Sequence, residues 1–288
     1  MHRYRAALAE GSPDDHGRVE RMTTTPPGQR LLLMAAAIIV ATAAGIVGAI
    51  MLVAPGSTGR SFAWPLGPRA LAALVGGLYV VSAPIFVYAG RRSAIEVRGL
   101  AAAVLAFTLP TLAATYLHRD VFDFDRLFAM AWVVLFIASP VAFALLLWSG
   151  RQAQPPPGDP RVHPAARAVL AALGVEFAGL AVWFWIRVSG PVPFEVAPLG
   201  ARFLAAWLAF FAVLAVWPAV RPARSEARVP LLALIAYGIG GLLAAAVHPQ
   251  ELGPGAAGYV AGLLIVVAVP ALVLGRGARN EMRQRQTG

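Results

Sequence analysis

The sequence predicts an all-α integral membrane protein with eight transmembrane helices, arranged as two four-helix repeats of parallel orientation. Three observations favour this class. Hydrophobic residues make up 59% of the 288 positions and charged residues only 13%, against roughly 25% charged residues in soluble domains. Eight apolar segments each approach the length that a helix needs to cross a bilayer. Finally, a motif that precedes the second of these segments recurs before the sixth.

The eight apolar segments define the predicted helices. They are apolar on nearly every face, and they must be helical because a strand with an open edge leaves backbone groups unsatisfied in lipid. Trp64, Trp148 and Trp217 lie near segment ends, which is typical of an aromatic belt at the membrane surface. The segments cover 31–54, 70–89, 98–117, 127–148, 165–187, 202–219, 229–247 and 257–274.

The internal repeat is predicted from polar and proline matches. Residues 65–73 and 198–206 agree at seven of nine positions, and His118 aligns with His248 at nearly the same offset. Four helices return the chain to the side on which it started, so both units should share one orientation about an axis along the membrane normal. The predicted organisation is a disordered cytoplasmic tail, repeat 1, a cytoplasmic linker, repeat 2 and a cytoplasmic tail, at 1–29, 30–148, 149–164, 165–275 and 276–288.

The distribution of arginine predicts the orientation of the chain. All 24 cationic residues are arginines; 18 fall in the tails and loops of one side of the membrane and six on the other. The positive-inside rule then places both termini in the cytoplasm, with the helices in a bacterial plasma membrane. Because the arginines alternate with apolar segments, the net charge of +10 does not predict nucleic-acid binding.

Several kinds of chemistry are excluded by composition. The chain contains no Cys and no Lys, which rules out disulfides, thiolate zinc sites, iron–sulfur clusters and Schiff-base catalysis. It also lacks a P-loop and a nucleophile-elbow motif. No cofactor is predicted, and an enzyme is the less favoured class.

Two motifs carry a resemblance to a known group. Phe62-Ala63-Trp64-Pro65 precedes the second segment, and the run from Ala114 to Asp120 follows the third. With these motifs the chain resembles a group of uncharacterised multi-pass membrane proteins from Actinobacteria and related GC-rich bacteria. The resemblance spans most of 31–275 and implies the fold and the membrane location, with no activity attached. Only part of the group's His-Arg-Asp-x-Phe element recurs in the second half, at His248.

Glu176 is the one carboxylate deep inside a predicted span. An ionisable group at the centre of a membrane helix costs at least about 2.5–3.5 kcal/mol, and such residues usually serve a function. We therefore consider Glu176 a candidate for binding a cation or relaying a proton. The alternative is an uncharged carboxyl group that forms a hydrogen bond to a neighbouring helix.

Four further candidates lie at the predicted outer surface. Arg69 and Arg202 begin the second and sixth segments, and together they could bind an anionic group; the alternative is that both side chains simply reach the membrane surface. His118 and His248 follow the third and seventh segments, where one histidine per half could ligate a metal or a haem. The alternative for the histidines is a structural hydrogen bond.

Three functions are compatible with these residues. The favoured one is transport or binding of a small molecule or ion, at a site between the repeats that uses Glu176, Arg69 and Arg202. The first alternative is a structural or accessory subunit of a membrane complex, and a haem or redox membrane protein using His118 and His248 is less favoured. The expected partners are the lipid bilayer and, as open alternatives, a second copy of the chain or other membrane subunits.

Overall fold

The computed structural model describes residues 27–188, 190 and 192–287, with the side chains of 27–33, 35–37 and 277–287 excepted. Nearly all of the predicted N-terminal tail lies outside the described residues. Eight long helices follow one another along the chain. They are α1 (Pro27–Val53), α2 (Arg69–Gly90), α3 (Ala94–Leu117), α4 (Leu127–Gly150), α5 (Pro164–Arg187), α6 (Pro198–Val220), α7 (Arg224–Val247) and α8 (Ala256–Thr287).

The helices are those of a multi-pass membrane protein. Within the described ranges, seven are long and apolar enough to cross a bilayer. An eighth span is present if residues 38–53 and 55–61, which meet at a bend of 110°, are counted together. Every predicted apolar segment corresponds to one helix, because a membrane-length apolar run can satisfy its backbone only as a helix.

Packing of the eight helices follows a regular pattern. Helix α1 packs against α2, and α5 packs against α6, in the two most extensive helix contacts. Helix α2 also contacts α7, while α6 contacts α3. Helices α3 and α7 meet each other, and each carries one outer neighbour, α4 and α8 respectively. The halves are therefore joined through α2, α3, α6 and α7.

Glycines allow the closest of these approaches. A Cβ atom on Gly76 would lie 2.4 Å from the backbone nitrogen of Leu52 in α1, and one on Gly77 would lie 2.2 Å from the carbonyl oxygen of Gly240 in α7. Real Cβ atoms do not come so close to a backbone. Helix α2 can thus contact α1 and α7 only because its contact positions carry no side chain.

The segment between α1 and α2 differs from the prediction. It was expected to form an outer loop with Trp64 at the membrane surface, but the chain turns back after α1 and buries Phe62 and Trp64 at 3% exposure each. The Thr58 hydroxyl holds this segment, since it accepts a hydrogen bond from the Leu66 N–H at 3.0 Å. The belt interpretation of Trp64 is wrong, because its ring packs against Phe203 at 5.3 Å instead of lipid.

Helices α3 and α7 end in the same way, and this positions two of the candidate residues. The backbone N–H of His118 donates to Ala114 O, and that of His248 donates to Ala244 O. A short 3-10 helix follows each histidine, at 119–121 and at 249–251. Both imidazoles are therefore presented at the end of the bundle opposite the arginine-rich loops.

Candidate functional site

The structure brings His118 and Arg202 together across the two halves of the chain. The guanidinium group of Arg202, in the first turns of α6, donates a hydrogen bond to Nε2 of His118. The same guanidinium group lies 5.9 Å from the Trp185 ring centroid. Desolvation lowers the pKa of His118, the neighbouring Arg202 lowers it further, and Asp120 opposes the shift. The imidazole consequently accepts the hydrogen bond as a neutral base.

A second cluster at the same end contains the other two candidates. His248 donates from Nε2 to the carbonyl oxygen of Leu52 at 2.6 Å and so ties α7 to the end of α1. Arg69 lies 3.8 Å from the Glu251 carboxylate, with 68% of the arginine side chain exposed. Exposed ion pairs of this kind contribute about 0–1 kcal/mol. Arg69 and Arg202 thus have separate partners in this structure, and their joint role in binding an anion stays a prediction.

The two histidines do not share a ligand position. Each Nε2 atom has a different partner, Arg202 in one case and Leu52 in the other. In the part of the chain that the structure describes, no three His, Cys, Asp or Glu side chains are grouped as metal ligands. A metal or haem role for His118 and His248 stays a prediction.

Glu176 is exposed on the face of α5 that points away from the other helices. It lines none of the cavities described below. The carboxyl group is therefore on the outer surface of the bundle in this structure. Its proposed role in binding stays a prediction.

Acidification should destabilise the cluster around His118. The unfolded chain binds a proton at this residue near pH 6.5, whereas the folded pKa is lower. The unfolded state then binds more protons, so stability is full above about pH 6.5 and falls below it. Between pH 7.5 and 5.5 we expect the Tm of the wild type to fall further than that of His118→Gln, which does not titrate at this position. Equal falls in the two proteins would contradict this assignment.

A cleft lies between α1 and α4, and we call it the α1–α4 cleft. Its upper part has a volume of about 200 Å³, and an adjoining part nearer the arginine-rich end has a volume of about 290 Å³. Ala43, Ala131 and Leu135 line the cleft and are exposed, so it opens on the lipid-facing surface. The two parts share Val40, Phe86, Leu135, Ser139 and Phe143.

Aromatic rings from both halves form the floor of the α1–α4 cleft. Phe107 of α3 lies between Phe136 of α4, at 5.7 Å, and Trp207 of α6, at 4.5 Å. Trp207 in turn contacts Tyr237 of α7 at 5.6 Å. Ring pairs at these distances contribute about 0.5–1.5 kcal/mol each beyond their buried area. The floor of the cleft is therefore a rigid aromatic surface built from residues of both halves.

A few polar atoms are set into this aromatic floor. The hydroxyl groups of Ser82 and Tyr237 are 3.0 Å apart, and Ser82 donates to Leu78 O at 2.8 Å. Thr108 donates to Val104 O and has no need of another acceptor. The indole Nε1–H of Trp207 differs, because it is buried and finds no acceptor among the residues that the structure describes. A buried donor without a partner costs about 1–3 kcal/mol.

Sequence reasoning missed the residues of the cleft. Ser82, Tyr237 and Trp207 were all within segments that are apolar on nearly every face, so no pattern distinguished a cleft-lining position from a packed one. A polar side chain inside a membrane helix is a usable signal, and Ser82 and Tyr237 carry it.

An ion pair at the opposite end was also missed. Arg98 of α3 lies 3.9 Å from the Glu226 carboxylate of α7, with only 11% and 3% of the two side chains exposed. Glu96 and Arg98 match Glu226 and Arg228 at an offset of 130 along the chain, and this match was the available signal.

No protein-family model, no curated protein and no solved structure matches this chain.

Proposed function

We propose that this protein binds a lipid-soluble molecule in the α1–α4 cleft, and that the molecule carries a ring-containing body and a hydrogen-bond acceptor. The observation that carries the proposal is the unpaired indole N–H of Trp207, set in an aromatic floor. A ligand acceptor could reach this donor once the side chains around it move, and it would then remove the cost of burying it. The opening between α1 and α4 would admit the molecule from the bilayer.

The dimensions and lining of the cleft support this class of ligand. Binding cavities for small molecules are mostly apolar, contain few oriented polar groups and span about 300–1,000 Å³. The two adjoining parts, about 200 and 290 Å³, together reach that range. Phe107, Phe136 and Trp207 present ring surfaces on which a flat unsaturated body could stack.

We also propose that the halves are two four-helix repeats of one orientation. Equivalent helices of the two halves make equivalent contacts. The α1–α2 contact corresponds to α5–α6, α2–α7 corresponds to α6–α3, and α3–α4 corresponds to α7–α8. This pattern supports the duplication inferred from residues 65–73 and 198–206. The cleft opens between two helices of repeat 1, and repeat 2 contributes Trp207 and Tyr237 to its floor. The arginine bias and the resemblance to the actinobacterial group support a bacterial plasma membrane with both termini cytoplasmic.

The first test fills the cleft. Ser139 lines both of its parts, so a phenylalanine there would occupy the space of a ligand. With the full chain in phosphatidylcholine nanodiscs, we expect menadione to raise the Tm of the wild type, and Ser139→Phe to weaken menadione binding about tenfold or more. The matched control is Val141→Phe, since Val141 lies on α4 at 60% exposure and outside the cleft lining.

The second arm tests the unpaired donor with 2-methylnaphthalene, which has the shape of menadione but no carbonyl groups. A neutral hydrogen bond contributes about 0.5–1.5 kcal/mol, so Trp207→Phe should weaken menadione binding about two- to tenfold and leave 2-methylnaphthalene binding unchanged. Loss of menadione binding in Glu176→Gln would instead assign the site to Glu176. Equal binding by the wild type and Ser139→Phe would overturn the cleft proposal and favour an accessory subunit.

A further inference from the structure

A second cavity lies at the arginine-rich end of the bundle, between α5, α7 and α8. It has a volume of about 490 Å³ and is separate from the α1–α4 cleft, with which it shares no residue. Its mouth carries Arg161, Arg228 and Arg276, all of them exposed. Among the side chains that the structure describes, no carboxylate lines it. The concentration of positive charge at one cavity is a recognition element for an anion.

The lower walls of this cavity are apolar. Leu170, Ala227 and Leu231 are at most 1% exposed and form a small hydrophobic core of their own beneath it. Val169 of α5 and Leu272 of α8 line the cavity and are also exposed, at 49% and 59%. Because α5 and α8 make only a few direct contacts, an apolar slot between them opens toward lipid.

The linker between α4 and α5, which forms part of the cavity mouth, is hydrogen-bonded to the residues around the start of α7. The Val162 N–H donates to Pro222 O at 2.8 Å, next to Arg161. The nearby Asp159 carboxylate accepts from the backbone N–H and the hydroxyl of Ser225, at 3.1 and 2.7 Å. The one acidic side chain of this stretch is therefore held at the start of α7, where it caps the helix.

We propose that this cavity binds an anionic amphiphile of the phospholipid class. Its phosphate would be held by Arg161, Arg228 and Arg276, and one acyl chain would lie in the slot between Val169 and Leu272. Arginine suits this role because its planar guanidinium group donates in pairs to phosphate oxygens. The site lies at the end of the bundle that the arginine bias places in the cytoplasm, where anionic lipids attract basic groups at about 1 kcal/mol per charge.

The test compares lipid retention by the full chain in native mass spectrometry, with phosphatidylglycerol, phosphatidylcholine and inorganic phosphate as probes. We expect phosphatidylglycerol to be retained in preference to phosphatidylcholine, and Arg228→Gln to weaken its binding about five- to tenfold. The matched control is Arg221→Gln, which removes the same charge at an exposed residue just before α7 and outside the cavity lining. An equal loss of phosphatidylglycerol binding in both variants would contradict the proposed site.

A second pair of variants tests the acyl slot. Val169→Trp should lower phosphatidylglycerol retention, whereas Val175→Trp should not, because Val175 is 70% exposed on α5 and does not line the cavity. Both positions are exposed, so the substitutions spare the core. If inorganic phosphate bound as tightly as phosphatidylglycerol and Val169→Trp had no effect, the site would be one for free phosphate and the amphiphile proposal would be wrong.

Discussion

Replacing Arg98 with methionine is expected to lower the free energy of unfolding by about 3–5 kcal/mol. Arg98 and Glu226 form an ion pair between α3 and α7, with 11% and 3% of their side chains exposed. Loss of the guanidinium group leaves a buried carboxylate without its counter-charge and also removes a hydrogen bond to Ala153 O. The free energy of unfolding can be measured by SDS titration of the protein in mixed micelles.

A double variant separates the ion pair from simple loss of packing. Arg98→Met/Glu226→Leu removes both charges and should recover stability to within about 1 kcal/mol of the wild type, because apolar pairs often replace buried ion pairs without cost. The comparison pair is Arg92 and Glu96 on the same end of the bundle, 3.7 Å apart and with 31% and 20% of the side chains exposed. Arg92→Met should cost only about 0.2–1 kcal/mol. Equal losses for Arg98→Met and Arg92→Met would contradict the assignment.

Gly77→Ala is expected to destabilise the junction of the two halves by about 2–3 kcal/mol. The added Cβ would lie 2.2 Å from the carbonyl oxygen of Gly240, and Gly240→Ala would meet Gly77 O at 2.6 Å. Neither obstacle is a flexible side chain, so α2 and α7 would have to move apart. The same SDS titration measures the effect.

Gly262→Ala provides the control for this substitution. Gly262 also lies within a membrane helix, α8, but a Cβ atom there has no neighbour within 4 Å. It should therefore be neutral or stabilise by up to about 1 kcal/mol through helix propensity. If Gly77→Ala were as mild as Gly262→Ala, the close approach of α2 and α7 would be wrong.

The predicted helices were confirmed because each depends on a local property of the chain. The run 127–148 was predicted, and α4 covers Leu127–Gly150. By contrast, Trp64 was assigned to the membrane surface from its place near a segment end. Its burial depends on Phe203, far along the chain, and on the turn after α1, which a local pattern does not report.

For the candidate residues at the outer end, too, the sequence indicated the positions and the tertiary structure decided the contacts. Arg202 and His118 were each singled out from position and residue type, but their hydrogen bond to one another was not foreseen. Arg69 was predicted to bind an anion together with Arg202, and its ion pair with Glu251 was not foreseen. Glu176 was placed by the prediction in a cavity between the halves, whereas α5 turns it outward.

Membrane class, helix number and approximate helix ends follow from the sequence alone. The transfer of an apolar run into lipid, and the formation of its backbone hydrogen bonds, depend only on about twenty neighbouring residues. The α1–α4 cleft, the Ser82–Tyr237 hydrogen bond across 155 residues and the Arg98–Glu226 pair required the assembled bundle. In a helix that is apolar all round, hydrophobicity does not select the face that meets a neighbour; glycine gaps and single polar groups on distant helices do.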